Sequence, residues 1–319
     1  MNRKTWGAAL VILLLFAGLG AVLPSWVVFL LTLGLAKGLA VLSVVLLMRA
    51  GLVSFGQALF YAAGAYAAGF ALRRAGIHEA FILLAIGALT AMGLAALIGL
   101  IITRYREIFF GMLSLAFSMA FYGVLVKAYD ITGGTDGIGI PPPTVLTMPV
   151  AAGQLRLVTY YLALGCVAVM LYLIRRYAHS PLGYAARAVR ENEVRVAYLG
   201  GSVQRAIYLT YVLAAGLCGL GGVLVAFTVG HIDPQLSYWT TSGEFVFVAL
   251  LGGTSSVAAP LGSAVLYELI KSYAFKYAPY TWQMVLGLIM LVIIFFLPGG
   301  LWTLVERAQR PRQGQEVRG

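Results

Sequence analysis

Residues 175–205 read RRYAHSPLGYAARAVRENEVRVAYLGGSVQR, a polar stretch between two apolar segments. A stretch of this length and polarity must leave the bilayer, and it is the most basic loop inside the chain. Its arginines are Arg175, Arg176, Arg187, Arg190, Arg195 and Arg205. Because basic loops stay on the cytoplasmic side of a membrane, we predict that these residues are cytoplasmic. Their placement then fixes the orientation of all other segments.

The same stretch carries signals for two short helices. Ser180 is a good N-cap, and Pro181 follows at the first helical position, where its missing N–H costs nothing. Asn192 is placed to cap a second helix over residues 193–199, which the glycines at 200 and 201 would end. Two amphipathic helices beside a membrane domain indicate a surface that docks a partner, and an ordinary basic loop is the alternative. The residues predicted to form the docking surface are Ser180, Pro181, Leu182, Gly183, Ala186, Val189, Arg190, Glu191 and Gly200.

The composition identifies an integral membrane protein. Of 319 residues, 61% are hydrophobic and only 10% are charged. A spanning helix needs roughly 20 apolar residues, so the chain has room for about ten. The net charge of +11 does not indicate nucleic acid binding, because the basic residues flank apolar segments. The sequence has no phosphate-binding G-x-x-x-x-G-K-[ST] motif, no metal-ligand spacing and no catalytic constellation, so we expect no enzyme, cofactor or metal site.

The apolar segments predict an all-α fold of about ten spans. In order they are residues 7–23, 26–47, 51–72, 80–102, 108–129, 158–174, 206–229, 242–258, 261–275 and 282–297. Residues 1–305 form the predicted membrane domain, with the cytoplasmic loop at 175–206, and residues 306–319 form a basic cytoplasmic tail. Both termini are then cytoplasmic, and the Gly- and Pro-rich segment after residue 129 is an outer loop.

An inverted repeat is predicted from the same segments, since five spans stand on each side of the outer loop. An odd number of spans gives the two halves opposite orientations, and the third and eighth spans then correspond. Both contain Gly and Ser interruptions, which indicate a translocation pathway when they occur at matching positions. The alternative is that these glycines serve helix packing. The predicted pathway residues are Lys37, Ser54, Gly56, Gln57, Glu244, Gly252, Gly253 and Thr254.

Charged side chains inside the spans are costly and need a partner or water. Lys37 lies in the middle of a span with no partner visible in the sequence, and a pathway role or a packing role is open for it. Glu244 could meet a cationic group of a solute, pair with an arginine or lie among lipid headgroups. Glu268 and Lys271 are three residues apart on one helix, which favours a structural ion pair between them.

These residues together resemble a known family. The pieces are Gly51-Leu-Val-Ser-Phe-Gly-Gln-Ala-Leu-Phe, Gly64-Ala65-Tyr66, Ser114-Leu-Ala-Phe, Thr132-Gly-Gly-Thr-Asp-Gly137, Ser180-Pro-Leu-Gly, Ala188-Val-Arg-Glu, Leu199-Gly200, Asp233-Pro234, Leu251-Gly-Gly253, Pro260-Leu-Gly262 and Pro298-Gly-Gly-Leu301. Over nearly the whole chain, their order resembles the permease subunits of ATP-binding-cassette (ABC) importers for branched-chain amino acids, in particular the LivM type. The chain departs from the family pattern at Val44, Met48, Met119, Tyr184 and Ile207.

The resemblance implies a transport subunit that does no chemistry itself. It implies an inner-membrane location in a bacterial cell, a sister permease subunit, two cytoplasmic ATPase subunits that bind the ATP, and a periplasmic solute-binding protein. The docking residues around Ser180 would then contact an ATPase. The departures at Val44, Met48 and Met119 lie in membrane segments, so another small polar solute such as urea, an amide or a carboxylate is an alternative. A self-contained channel or secondary transporter is the other alternative.

Overall fold

The computed structural model describes residues 16, 18, 20, 22–145, 154–254, 256–297 and 299–303. The predicted first span, residues 7–23, lies mostly outside the described residues, and the tail, residues 306–319, lies wholly outside them. The described helices are α1 (Ser25–Met48), α2 (Gln57–Arg74), α3 (Ala80–Ile102), α4 (Glu107–Lys127), α5 (Tyr129–Thr132), α6 (Leu155–Ala178), α7 (Pro181–Glu191), α8 (Glu193–Tyr198), α9 (Val203–Val229), α10 (Trp239–Gly252), α11 (Ala259–Tyr277) and α12 (Trp282–Phe296).

Five of the described helices are long and apolar enough to cross a membrane, namely α1, α3, α4, α6 and α9. The all-α membrane fold is therefore confirmed, whereas the count of ten spans stays a prediction. Helices α10 and α12 have 14 and 15 residues. At 1.5 Å per residue they extend only about 21 to 23 Å, less than the roughly 30 Å of a bilayer core.

Helices α1 and α9 form the centre of the bundle. In their most apolar windows 83% and 78% of residues are buried inside the protein, against 28% for α3 and for α4. Helix α9 packs on α1, α2 and α3, and α1 packs in addition on α6, α10 and α11. The contact between α9 and α2 is very close, because a Cβ atom at Gly222 would lie only 1.9 Å from the carbonyl oxygen of Tyr61. Small residues thus allow the helices to approach backbone to backbone.

Two non-helical segments, which we call the first break (residues 49–56) and the second break (residues 253–254 and 256–258), interrupt the bundle. The first precedes α2, and the second follows α10. The predicted interruptions are therefore real, but the prediction that they occupy matching positions is wrong, since one lies before its helix and the other after. The Gly and Ser content of a segment predicts a break, but it does not predict at which end of a helix the break lies.

Both breaks lie at the same end of the bundle. The Nε of Arg49 donates a hydrogen bond to the backbone carbonyl oxygen of Thr254 over 2.9 Å. Corresponding points of an inverted repeat would lie at opposite ends, so the two breaks do not correspond to each other. Gly253 in the second break has a φ of +83°, which glycine adopts without strain.

The opposite end of the bundle carries the Gly- and Pro-rich segment that follows residue 129, which we call the Gly-rich loop. Gly133 and Gly137 have φ angles of +73° and +70°, which glycine adopts without strain. After them, β1 (Ile138–Gly139) pairs antiparallel with β2 (His231–Ile232), which directly follows α9. This pairing fixes the loop to the start of the segment that leads into α10.

Candidate functional site

A chain of four alternating charges crosses the interior between α1, α10 and α11. The Nζ of Lys37 lies 2.6 Å from a carboxylate oxygen of Glu268 and 2.8 Å from Oε1 of Glu244. The other oxygen of Glu244, Oε2, accepts a hydrogen bond from Nζ of Lys271 over 2.9 Å. Two ammonium groups thus compensate two carboxylates, so the cluster as a whole is neutral.

The predicted ion pair between Glu268 and Lys271 is wrong. Each of the two side chains pairs instead with a residue of another helix. A pair at a spacing of three residues contributes only about 0.2–0.5 kcal/mol, whereas a buried charge without a partner costs several kcal/mol. Lys37 lies in the middle of a buried helix and needs an anionic partner, so the carboxylate of Glu268 pairs with it. Lys271 then pairs with Glu244.

A cavity of about 990 Å³ adjoins one end of this charge chain, between α10, α11 and α12. Glu244 and Lys271 line it, together with aromatic side chains. The Nζ of Lys271 lies 5.7 Å from the ring centre of Tyr267 and 5.6 Å from that of Trp282, within the range of cation–π contacts. The side chains of Lys37 and Glu244 are 18% and 17% exposed, and that of Lys271 is 27% exposed. Lys271 is therefore the most accessible charge of the chain of four.

The cavity lies toward the end of the bundle that is remote from the two breaks. Helix α10 begins at Trp239, which lines the cavity, and ends at Gly252, where the second break starts. The helix is about 21 Å long at 1.5 Å per residue. Glu244 stands in its second turn, so the charged part of the cavity lies in the half of the bundle remote from the breaks. The apolar lining extends along α12 as far as Phe295, toward Gly299, which touches the second break at Gly253.

Of the predicted pathway residues, the three around the first break are packed inside the protein. Ser54 and Gln57 are fully buried, and a Cβ atom at Gly56 would lie 2.6 Å from the carbonyl oxygen of Ser114. The Oε1 of Gln57 accepts a hydrogen bond from Ser43, while its Nε2 has no partner among the described residues. Close packing is enough to explain why these residue types stand at the three positions. The role of the three residues in a pathway stays a prediction.

The predicted pathway residues of the second break are also in close contact with the protein. A Cβ atom at Gly252 would lie 2.6 Å from Oγ of Ser263, and one at Gly253 would lie 2.4 Å from the carbonyl oxygen of Gly299. Thr254 provides the carbonyl oxygen that Arg49 binds. Of the eight predicted pathway residues, Glu244 alone lines the cavity. Lys271, which also lines the cavity, was not among the predicted pathway residues, although its charge on an apolar helix was a visible signal.

The two short helices of the basic loop have the predicted caps, and the second ends at Tyr198, one residue earlier than predicted. The Oγ of Ser180 accepts a hydrogen bond from the backbone N–H of Gly183 at the start of α7, and Pro181 is its first residue. The Oδ1 of Asn192 accepts one from Arg195 at the start of α8. Gly200 follows with a φ of +80°, as predicted for the residue that ends the second helix.

The apolar face of α7 is turned toward the chain itself. Ala186 and Val189 are 5% and 3% exposed, and Leu182 is half-buried. The prediction that these three side chains contact a partner therefore does not fit their burial, because α7 uses this face to pack on α9 and α6. The exposed apolar side chains of the loop are Tyr184, Val194, Tyr198 and Leu199.

Helix α7 also touches the first break. A Cβ atom at Gly51, whose φ is +82°, would lie 3.3 Å from Cα of Arg190. On the same side, burial and, to a smaller extent, the positive charge of Arg187 lower the pKa of Arg49. Helix α7 thus lies against the segment from which Arg49 reaches the second break, and one chain of contacts connects the basic loop with both breaks.

A helical membrane protein with a charged cavity in one half and a capped helix pair against its helix breaks in the other has the organisation of a transport protein. The chain belongs to the family described as branched-chain amino acid transport system / permease component, which matches residues 7–294. No solved structure matches it.

Curated relatives give the same result. The chain is 27% identical over 287 residues to the high-affinity branched-chain amino acid transport system permease protein LivM of Salmonella typhimurium, covering 83% of this chain and 67% of the relative. It is 27% identical to the probable LivM of Methanocaldococcus jannaschii, covering 79% and 86%. It is 24% identical to the permease protein LivH of Salmonella typhimurium, covering 79% and 85%.

Proposed function

We propose that this chain is the membrane permease subunit of an ABC importer for branched-chain amino acids. The observation that carries the proposal is the family match over residues 7–294. The chain contributes the pathway and does no chemistry, while partner ATPase subunits bind and hydrolyse the ATP. A periplasmic binding protein delivers the solute. The protein lies in the inner membrane with both termini in the cytoplasm.

A sister permease completes the pathway in this proposal. Relatives of both the LivM and the LivH type cover most of this chain, so the two types have a common architecture. Two similar subunits fit the two-fold arrangement that membrane transporters commonly have. We therefore expect a heterodimer of this chain with a LivH-type partner.

The orientation follows from charge. The loop that holds α7 and α8 has six arginines, and we place it in the cytoplasm. The Gly-rich loop and the cavity then belong to the periplasmic half, where a binding protein would release the solute. The packing of the helices supports two inverted halves, because α1 packs on α10 and α11 in the way that α9 packs on α2 and α3.

The contacts suggest how ATP hydrolysis is transmitted. An ATPase that binds the exposed side of α7 and α8 would move α7 against Gly51 in the first break. Since Arg49 binds the carbonyl oxygen of Thr254, the second break would move with the first. The first break leads directly into α2, and the second break directly follows α10. Helix α10 holds Glu244 at the cavity. A push on the cytoplasmic side would thus reach the solute.

The test is purification of the tagged chain from its native membranes, followed by reconstitution in liposomes. We expect ATPase and sister-permease subunits to co-purify, and we expect leucine uptake that requires ATP and the binding protein. A chain that purifies alone and passes solute without ATP would be the channel or secondary transporter. ATP-dependent uptake of urea, an amide or a carboxylate in place of leucine would identify an ABC permease for another solute.

A further inference from the structure

We infer that the cavity beside Lys271 and Glu244 is a binding site for zwitterionic solutes, meaning molecules that carry one ammonium and one carboxylate group. The inference rests on the proposed import function and adds to it the two residues that recognise the backbone of an amino acid. Lys271 would bind the carboxylate of the solute, and Glu244 would bind its ammonium group.

The connectivity of the charge chain supports these roles. Glu244 is held from two sides, through Oε1 by Lys37 and through Oε2 by Lys271. If Lys271 turns toward a solute carboxylate, Glu244 keeps Lys37 as its partner. Its Oε2 is then free to accept a hydrogen bond from the solute ammonium group. The inner part, Lys37 and Glu268, keeps its 2.6 Å contact, so the solute changes only the outermost pair.

The charge balance favours a zwitterion over other solutes. The cluster is neutral, and a zwitterion inserted between Glu244 and Lys271 leaves it neutral. A solute with only a carboxylate or only an ammonium group would add one net charge where the dielectric constant is low, at a high cost. A neutral solute would replace the ion pair between Lys271 and Glu244 with hydrogen bonds in which only one partner is charged, and neither charge would gain a counter-charge.

The remaining cavity wall fits an aliphatic side chain. Phe247, Leu286, Met290, Leu291 and Phe295 line it. An apolar side chain of the solute buried against these residues gains about 25 cal/mol for each Å² removed from water. The volume of about 990 Å³ lies at the upper end of the usual range for ligand pockets. One wall of the cavity would thus bind the charged groups of the solute, and the other would bind its aliphatic side chain.

A thiol on the cavity wall tests the site directly. Gly287 lines the cavity, and a Cβ atom there has no neighbour within 4 Å, so Gly287→Cys introduces no clash. In the assembled transporter, with Cys166 and Cys218 replaced by alanine, we expect leucine at about ten times its Kd to slow alkylation of this thiol about tenfold. Two single-charge analogues, 4-methylpentanoate and 3-methylbutylamine, should not slow it. The control is Gly93→Cys on α3, which also has open space around it.

Lys271→Gln tests the residue assignment. We expect this variant to need about ten times more leucine, or more still, for the same protection, because a charged hydrogen bond is lost. Lys276→Gln, five residues further along α11 and exposed, should behave like the parent. Equal protection by the analogues, or unchanged protection in the Lys271→Gln variant, would overturn the inference. The comparison of the three probes leaves Lys271 intact, so it decides between the outcomes even if the variant fails to assemble.

The proposed import function is judged separately, by ATP-dependent uptake in the unmodified transporter. If that transporter imports leucine while the thiol shows no zwitterion-specific protection, the import function stands and the zwitterion site is rejected. If it imports no amino acid at all, the import function itself fails, and the site inference falls with it.

Discussion

Arg49 donates a hydrogen bond to the backbone carbonyl oxygen of Thr254 over 2.9 Å, and this contact joins segments 205 residues apart in the sequence. It is the point at which the first and second breaks meet. Because Arg49 binds a backbone oxygen, the contact fixes the position of the main chain at residue 254 and does not depend on the threonine side chain. The two breaks are therefore expected to move as one unit.

Replacement of Arg49 by methionine should separate the two breaks. A charged hydrogen bond contributes about 1.5–3 kcal/mol, so we expect a lower melting temperature in detergent and weaker solute-stimulated ATP hydrolysis. The control is Arg205→Met, whose side chain is exposed at the start of α9. If the Arg49 variant melts and hydrolyses ATP like the control, the contact does not couple the breaks.

The charge chain predicts a rescue experiment. Lys37→Met leaves two carboxylates and one ammonium group in the interior, and the loss of one partner of a buried pair costs about 3–5 kcal/mol. The double variant Lys37→Met with Glu268→Gln restores neutrality and should recover much of the thermal stability. Lys127→Met, at an exposed helix end, serves as the control and should be neutral. A double variant no more stable than the single one would show that charge balance is not the cause.

The close contact between α2 and α9 should tolerate no added methyl group. Gly222→Ala would place a Cβ atom against the carbonyl oxygen of Tyr61, and we expect little folded protein in the membrane. Gly165→Ala on α6 meets open space and should be neutral or slightly stabilising, by about 0.5–1 kcal/mol. The yield of folded protein in the membrane, together with thermal melting of whatever folds, gives the comparison, and equal effects of the two variants would contradict the close packing.

The docking surface can be tested on its exposed side. Tyr198 is 88% exposed at the end of α8, so Tyr198→Asp should leave thermal stability unchanged and reduce co-purification of the ATPase. Ala186→Glu buries a charge and should reduce stability instead. Tyr280→Asp, at a 99% exposed position at the other end of the bundle, is the matched control. Full ATPase recovery with Tyr198→Asp would place the docking contact elsewhere.

The orientation can be tested by labelling from the two sides of the membrane. In a chain without Cys166 and Cys218, single cysteines replace Arg187 in α7 and Thr135 in the Gly-rich loop, both exposed positions. We expect an impermeant thiol reagent added outside to label the cysteine at position 135, and the one at 187 only after the membrane is opened. Labelling of both from one side would contradict the proposed orientation.

Local features of the fold could be predicted from the sequence. Ser180 and Asn192 cap their helices through residues three positions away, so a short window contained all the information. The breaks were visible for the same reason, because Gly and Ser stand together there. The resemblance to the permease family also proved sound, since it depends on the order of short motifs and not on their contacts.

Features that depend on long-range packing could not be predicted. Lys37 finds its partners 207 and 231 residues away, and no local pattern connects them. The buried face of α7 shows the same limit, since an amphipathic helix does not reveal whether its apolar side meets its own chain or a partner.

The long sequence separation of the charge chain also bears on how the protein is made. A lysine at the centre of a spanning helix costs about 2.5–3.5 kcal/mol when it enters the bilayer alone. Lys37 emerges early from the ribosome, and Glu244 and Glu268 follow 207 and 231 residues later. At roughly 5–20 residues per second, α1 waits for about ten seconds or longer before its charge is neutralised. We therefore expect α1 to stay near the translocon until then, and we expect a chain truncated before α10 to be degraded faster than the full chain.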